Sequence, residues 1–99
     1  MLAEARNMGK AYGIPEHCYH AVIFRAVARD ASREQNREEA AAKWQKVVQM
    51  IDEKTPKLSF VMMGELCMEA GNKMLAIKAI RREKKPEIKI EALIEIEAW

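Results

Sequence analysis

Glycine and proline stand at the joints of this chain, and that punctuation restricts the fold more than any other feature. Gly13-Ile14-Pro15, Pro56, Gly71 and Pro86 divide 99 residues into segments of helical length. Glycine at a helix end adopts the left-handed backbone that stops the helix, and proline suits the first turn of the next one. The residue before a proline is biased away from helical geometry, so each X-Pro step is also a boundary. Between the joints the apolar spacing is mostly helical.

"LAEARNMGKAY" reads as a first helix, closed by Gly13. Residues 15 to about 30 form a second. Between Cys18 and Ala31 only His20, Arg25, Arg29 and Asp30 are polar, so this helix is apolar around most of its circumference and is expected to be central. The polar run "DASREQNREEA" follows. Ala40, Trp44, Val47, Val48 and Ile51, at i, i+4, i+7, i+8 and i+11, define a one-sided amphipathic third helix that ends at "EKTPK". A fourth spans about Leu58 to Ala70 and stops at Gly71. "NKMLAIKAIRREKK" makes a fifth, with Asn72 as its cap and Met74, Ile77 and Ile80 facing inward. In "PEIKIEALIEIEAW" the alternation of "IKIE" and "IEIE" suits a strand, whereas Pro86 and Glu87 suit a helix start. A strand there would be a lone edge in a helical chain, so helix is the reading adopted. The expected fold is all-α: an α-solenoid-like stack of antiparallel helical hairpins, five to six helices in one domain.

Composition excludes several classes. Only four glycines and three prolines accompany 49% hydrophobic and 32% charged residues, a globular balance. A formal charge of +2 is too small to imply nucleic acid or a membrane surface. Two cysteines 49 positions apart, neither in a CxxC pair, fit a reducing compartment better than a disulfide framework. No apolar run approaches the roughly 18 residues of a membrane span, and the first residues lack a signal-peptide core. A soluble intracellular protein is expected.

Three features bear on chemistry. "EHCYH", residues 16 to 20, gathers two histidines and a cysteine. On a helix His17 and His20 share a face, but Cys18 points about 100° from His17, and structural zinc requires four ligands. Cys67 has no partner nearby in sequence. The histidines therefore read as rim residues and Cys18 as a small packed hydrophobe, with no metal, no cofactor and no cysteine nucleophile. Lys78, Arg81, Arg82 and Lys85 follow i, i+3, i+4, i+7 and form a candidate stripe for an anionic partner, lipid or nucleic acid. Aromatic residues for base stacking are not interleaved with it, so nucleic acid is not expected, and a solvated face is the commoner meaning of such a stripe. Trp44 reads as a core anchor, and Met50, Met62, Met63, Met68 and Met74 as gap-fillers of an adaptable interior. Phosphate loops, paired carboxylates in apolar surroundings and a Ser-His-Asp grouping are not discernible, and the chain does not read as an enzyme.

"LCMEAGNKMLAIKAI" followed by "KKPEIKIEAL" resembles the C-terminal helical domain of the vacuolar protein sorting-associated protein 16 family. The matching positions are Cys67, Met68, Asn72, Lys73, Ala76, Pro86, Glu87, Lys89, Ile90, Ala92 and Leu93. Upstream, "YGIPEHCYHAVIFRAVA" is similar to the family's Ile-Pro-acidic helix start, and Trp44 falls where a Trp opens the following helix. The likeness covers residue 3 to the end, through motifs that are weak singly and agree in order and spacing. Residues 30 to 40 look like an insertion, and one extra residue precedes Pro86. A second branch, the metazoan paralogue that pairs with the B-type SM protein, matches less well.

The resemblance implies a non-enzymatic subunit of the HOPS and CORVET tethering complexes. It would be cytoplasmic, and peripheral on late endosome, lysosome or vacuole membranes only through its complex. It also implies that the family's domain continues past Trp99. Its partners would be an SM-family protein, of the vacuolar protein sorting-associated protein 33 type, and other tethering subunits. The N-terminal helices are the expected docking site for the SM protein. Arg6, Lys10, Tyr12, Glu16, His17 and Tyr19 mix aromatic and charged groups around the Gly-Pro turn, a composition that suits a specific interface.

Overall fold

In a computed structural model the backbone is described for residues 2–53 and 58–98, with the side chains of Leu2, Ala3, Ala5, Arg6, Glu16 and His17 excepted. The described residues form six helices and no strand: α1 (Leu2–Ala11), α2 (Glu16–Arg33), α3 (Arg37–Glu53), α4 (Phe60–Glu69), α5 (Lys73–Arg81) and α6 (Pro86–Glu97). The alternating segment after Pro86 is helical, with Pro86 in the first turn and Lys85 at the N-cap.

Two glycine stops share one hydrogen-bond pattern. Ile14 N–H donates to the Gly9 carbonyl (2.9 Å) and Gly13 N–H to Lys10 (3.2 Å), with Gly13 at φ 67°. Asn72 N–H donates to Cys67 and Gly71 N–H to Met68, both at 2.9 Å, with Gly71 at φ 87°. Each is a Schellman closure, in which the left-handed residue lets two otherwise orphaned carbonyls find donors. Asn72 then caps the next helix, its Oδ1 accepting from Leu75 N–H at 3.0 Å. One residue thus ends α4 and starts α5.

The polar run holds more helix than expected. α2 continues to Arg33 because Ala28 and Ala31 bury its inner face while charged side chains cover the outer one. Asn36 Oδ1 accepts from Glu38 and Glu39 N–H and starts α3 three residues early. The fourth helix starts later than expected, since Ser59 Oγ accepts from Met62 N–H and makes Ser59 its cap. The fifth stops at Arg81, short of Lys85. The Lys-Thr-Pro-Lys step, residues 54–57, to which the end of α3 was assigned, lies outside the described residues.

The hairpins α2/α3 and α4/α5 stack through α2 against α4, and α6 adds to this layer by packing on α4 and α5. α1 leans on α2 alone among the main contacts, and α2 is central as its composition implies. Phe24, Val47, Met63, Cys67, Ala76, Ala79 and Ile80 are sealed at the centre. Trp44 packs against this core only half-buried. Met74 does not face inward: it is 72% exposed, and Leu75, Ala76, Ala79 and Ile80 form the inner face of α5. The molecule is a slab of 38 × 35 × 22 Å.

Candidate partner interface

Consider first the end of the slab where α1 turns into α2. Gly9 lets the two helices touch, since a Cβ there would run into the Tyr19 ring. Tyr19 is accordingly only 8% exposed. This corrects its assignment to the partner surface: Tyr19 fastens α1 to α2 and stands under that surface. Its ring also meets His20, with centroids 4.9 Å apart.

Around it the turn is open. Tyr12 is 75% exposed, Lys10 and Cys18 are exposed, and Met8, Ile14 and Val22 add apolar area. Tyr12, one residue past α1, keeps the i+4 register with Met8, its N–H donating to the Met8 carbonyl at 3.0 Å. Of the six residues assigned to the interface, the structure leaves Lys10 and Tyr12 on the surface. The side chains of Arg6, Glu16 and His17 lie outside the described residues. Met8, Ile14 and Val22 were not anticipated; for Val22 the reason is that the all-round apolar segment "AVIFRAVA" has no pattern that singles out its exposed member. Cys18 is also not packed as expected, since it stands on the open side next to Tyr19.

The basic stripe divides. Lys78 and Arg81 are exposed on α5. Arg82, at the C-cap, pairs with Asp52 of α3 and lies 5.3 Å from the Phe60 ring centroid. Lys85 is beyond the end of α5, at the N-cap position of α6, so the four do not share a helix face. The i+7 register required a helix one turn longer; Arg82 and Glu83 N–H groups instead close on Ala79 and Ile80.

Besides the Arg82–Asp52 pair, two ion-pair groups among the described residues tie the helices together at the surface. Lys43 Nζ reaches Glu34 (2.7 Å) and Asp30 (3.3 Å), joining α3 to the end of α2. The Lys43 hydrogen bond, then that from Asn36 N–H, hold the Glu34 carboxyl below its usual range, and the Glu34 contact first of all raises the Lys43 ammonium. Arg29 and Arg25 both meet Glu69 of α4, at 2.8 and 3.5 Å. Burial pushes the Cys67 thiol up to about 12, which holds it in the protonated, weakly nucleophilic form at neutral pH. No three His, Cys, Asp or Glu residues gather as metal ligands among the described residues, and no described helix is long and apolar enough to cross a membrane.

Comparison of the chain with family models, curated proteins and solved structures finds no match.

Proposed function

We propose that this chain is a non-enzymatic interaction scaffold of the vacuolar protein sorting-associated protein 16 type. In this reading it recruits an SM-family protein to a HOPS- or CORVET-like tether for SNARE-mediated fusion at endosomes, lysosomes or vacuoles. One observation carries the reading: five of the residues that bear the resemblance occupy the joints and core of the hairpin stack, while others, such as Lys73, Glu87 and Ile90, are exposed. Cys67 and Ala76 are fully buried where α4 meets α5, Asn72 both ends α4 and caps α5, Pro86 opens α6, and Ala92 is buried on its inner face. Such positions specify a backbone, so the resemblance supports a shared scaffold on which a partner surface is carried.

The partner surface in this proposal is the α1–α2 end, with Tyr12 as aromatic anchor and Lys10 beside it. An exposed tyrosine offers a large amphipathic contact area at low entropic cost. Coprecipitation with an SM-family protein tests the proposal. The wild-type chain is expected to bind, and Lys10→Glu with Tyr12→Ala to abolish binding while leaving helical content unchanged. Absence of wild-type binding overturns the function; undiminished binding by the double variant overturns the site.

A further inference from the structure

A second surface lies away from Lys10 and Tyr12. Between α4 and α6 runs a groove of about 360 Å³ with Met68, Ala92 and Ile96 at its floor and Glu65, Glu69 and Glu95 along it. The carboxylates differ in one respect. Glu69 already holds Arg29 and Arg25 of α2, whereas Glu65 and Glu95 are exposed and make no ion pair among the described residues.

That arrangement selects its occupant. A purely apolar ligand would cover the floor but strip water from carboxylates without replacing their hydrogen bonds, an unfavourable exchange. A small hydrophilic cation would satisfy the carboxylates and leave the floor wet. A segment presenting aliphatic and cationic side chains together meets both demands, and guanidinium is favoured because its planar fork engages a carboxylate through two bonds. The chain contains its own precedent: α2 lays arginines four residues apart against α4, and both meet Glu69. Glu65 stands one turn earlier on α4.

We propose that the α4–α6 groove docks an arginine-bearing amphipathic helix of a partner protein, its aliphatic side on Met68, Ala92 and Ile96 and its guanidinium groups on Glu65 and Glu95. The surface is separate from the α1–α2 end and does not depend on the SM-protein reading.

Fluorescence anisotropy with two fluorescein-labelled synthetic helices tests this. One carries arginines at i and i+4 beside a leucine stripe; the other has the same composition scrambled. The patterned peptide is expected to bind at least about tenfold more tightly than the scrambled one, and E65K/E95K to lose about tenfold or more. E65Q/E95Q, which keeps the side-chain shape, is expected to weaken binding less than the lysine pair. K10E/Y12A is expected to bind the peptide as wild type does, which separates this site from the SM-protein surface. Equal binding of the two peptides overturns the proposal, as does wild-type affinity in E65K/E95K. Sedimentation showing a dimer that the peptide dissociates assigns the groove to a second copy of the chain and also overturns it.

Discussion

Gly64 of α4 lies against Ile80 of α5 so closely that a Cβ at Gly64 would fall 2.6 Å from Ile80 Cγ1 and 3.0 Å from the Ala76 carbonyl oxygen. This approach sets the spacing of the most extensively packed helix pair. Gly64→Ala gains about 1 kcal/mol of helix propensity, but overpacking a filled core costs about 1–3 kcal/mol, so a net loss of about 1 kcal/mol is expected by urea unfolding. Ile80→Ala alone should cost about 2–5 kcal/mol. In the double variant the clash with Ile80 disappears while the close approach to the Ala76 carbonyl remains, and the combined loss should fall short of the sum by about 1–2 kcal/mol, most of the overpacking cost. Strict additivity would show that the contact does not govern the pair.

The two cysteines should report the packing chemically. Cys18 is exposed, while Cys67 is sealed and its thiol is pushed up to about 12. A thiol reagent at pH 8 is expected to titrate one group in the native protein and both in guanidinium. Cys67→Ser should be less stable than Cys67→Ala, since a hydroxyl buried without a hydrogen bond costs about 1–3 kcal/mol. Rapid reaction of both thiols in the native state contradicts the burial of Cys67.

Much of the backbone was legible because its signals are local. Gly13 and Gly71 stop helices through bonds within six residues, and Pro86 and Asn72 start them with equally short reach. What was misread depends on neighbours far along the chain. Met74 and Leu75 differ little in apolarity, and only the position of α4 decides which is inside. Tyr19 looks like a surface aromatic until Gly9, ten residues earlier, is found beneath its ring. Likewise Arg82 reads as one of four cations until Asp52 and Phe60 take it. The α4–α6 groove had no sequence signal, since Glu65 and Glu95 are ordinary glutamates until two helices align them.

The latch between α2 and α3 should be pH-dependent. Lys43 holds the folded-state pKa of Glu34 below its usual 4.5, so this contribution is present above 4.5 and lost as pH falls through the lowered value. Lys43 is raised above 10.5, so its contribution is present below 10.5 and lost as pH rises through the raised value. Lys43→Met should therefore lower Tm most between those limits, and the difference from wild type should narrow on acidification below 4.5. A gap that stays constant down to pH 3 would mean that the ammonium stem packs without the charges mattering.

Arg81 and Arg82 are sequence neighbours with different expected roles. Arg82 both pairs with Asp52 and lies over Phe60, while Arg81 is exposed on α5. The pair is solvent-accessible and contributes at most about 1 kcal/mol; the cation–π contact at an exposed site contributes about 0.5–1 kcal/mol. Arg82→Ala should therefore cost about 1 kcal/mol in unfolding free energy, and Arg81→Ala less than about 0.5 kcal/mol. High salt separates the two parts of the Arg82 effect, because screening removes the ion pair and leaves the ring contact. In 1 M NaCl, where the Debye length is about 3 Å, the Arg82→Ala loss should shrink to the ring term without vanishing. Phe60→Leu should then abolish what remains. Equal losses for Arg81→Ala and Arg82→Ala would return Arg82 to the solvated stripe and remove its role in joining α5 to α3.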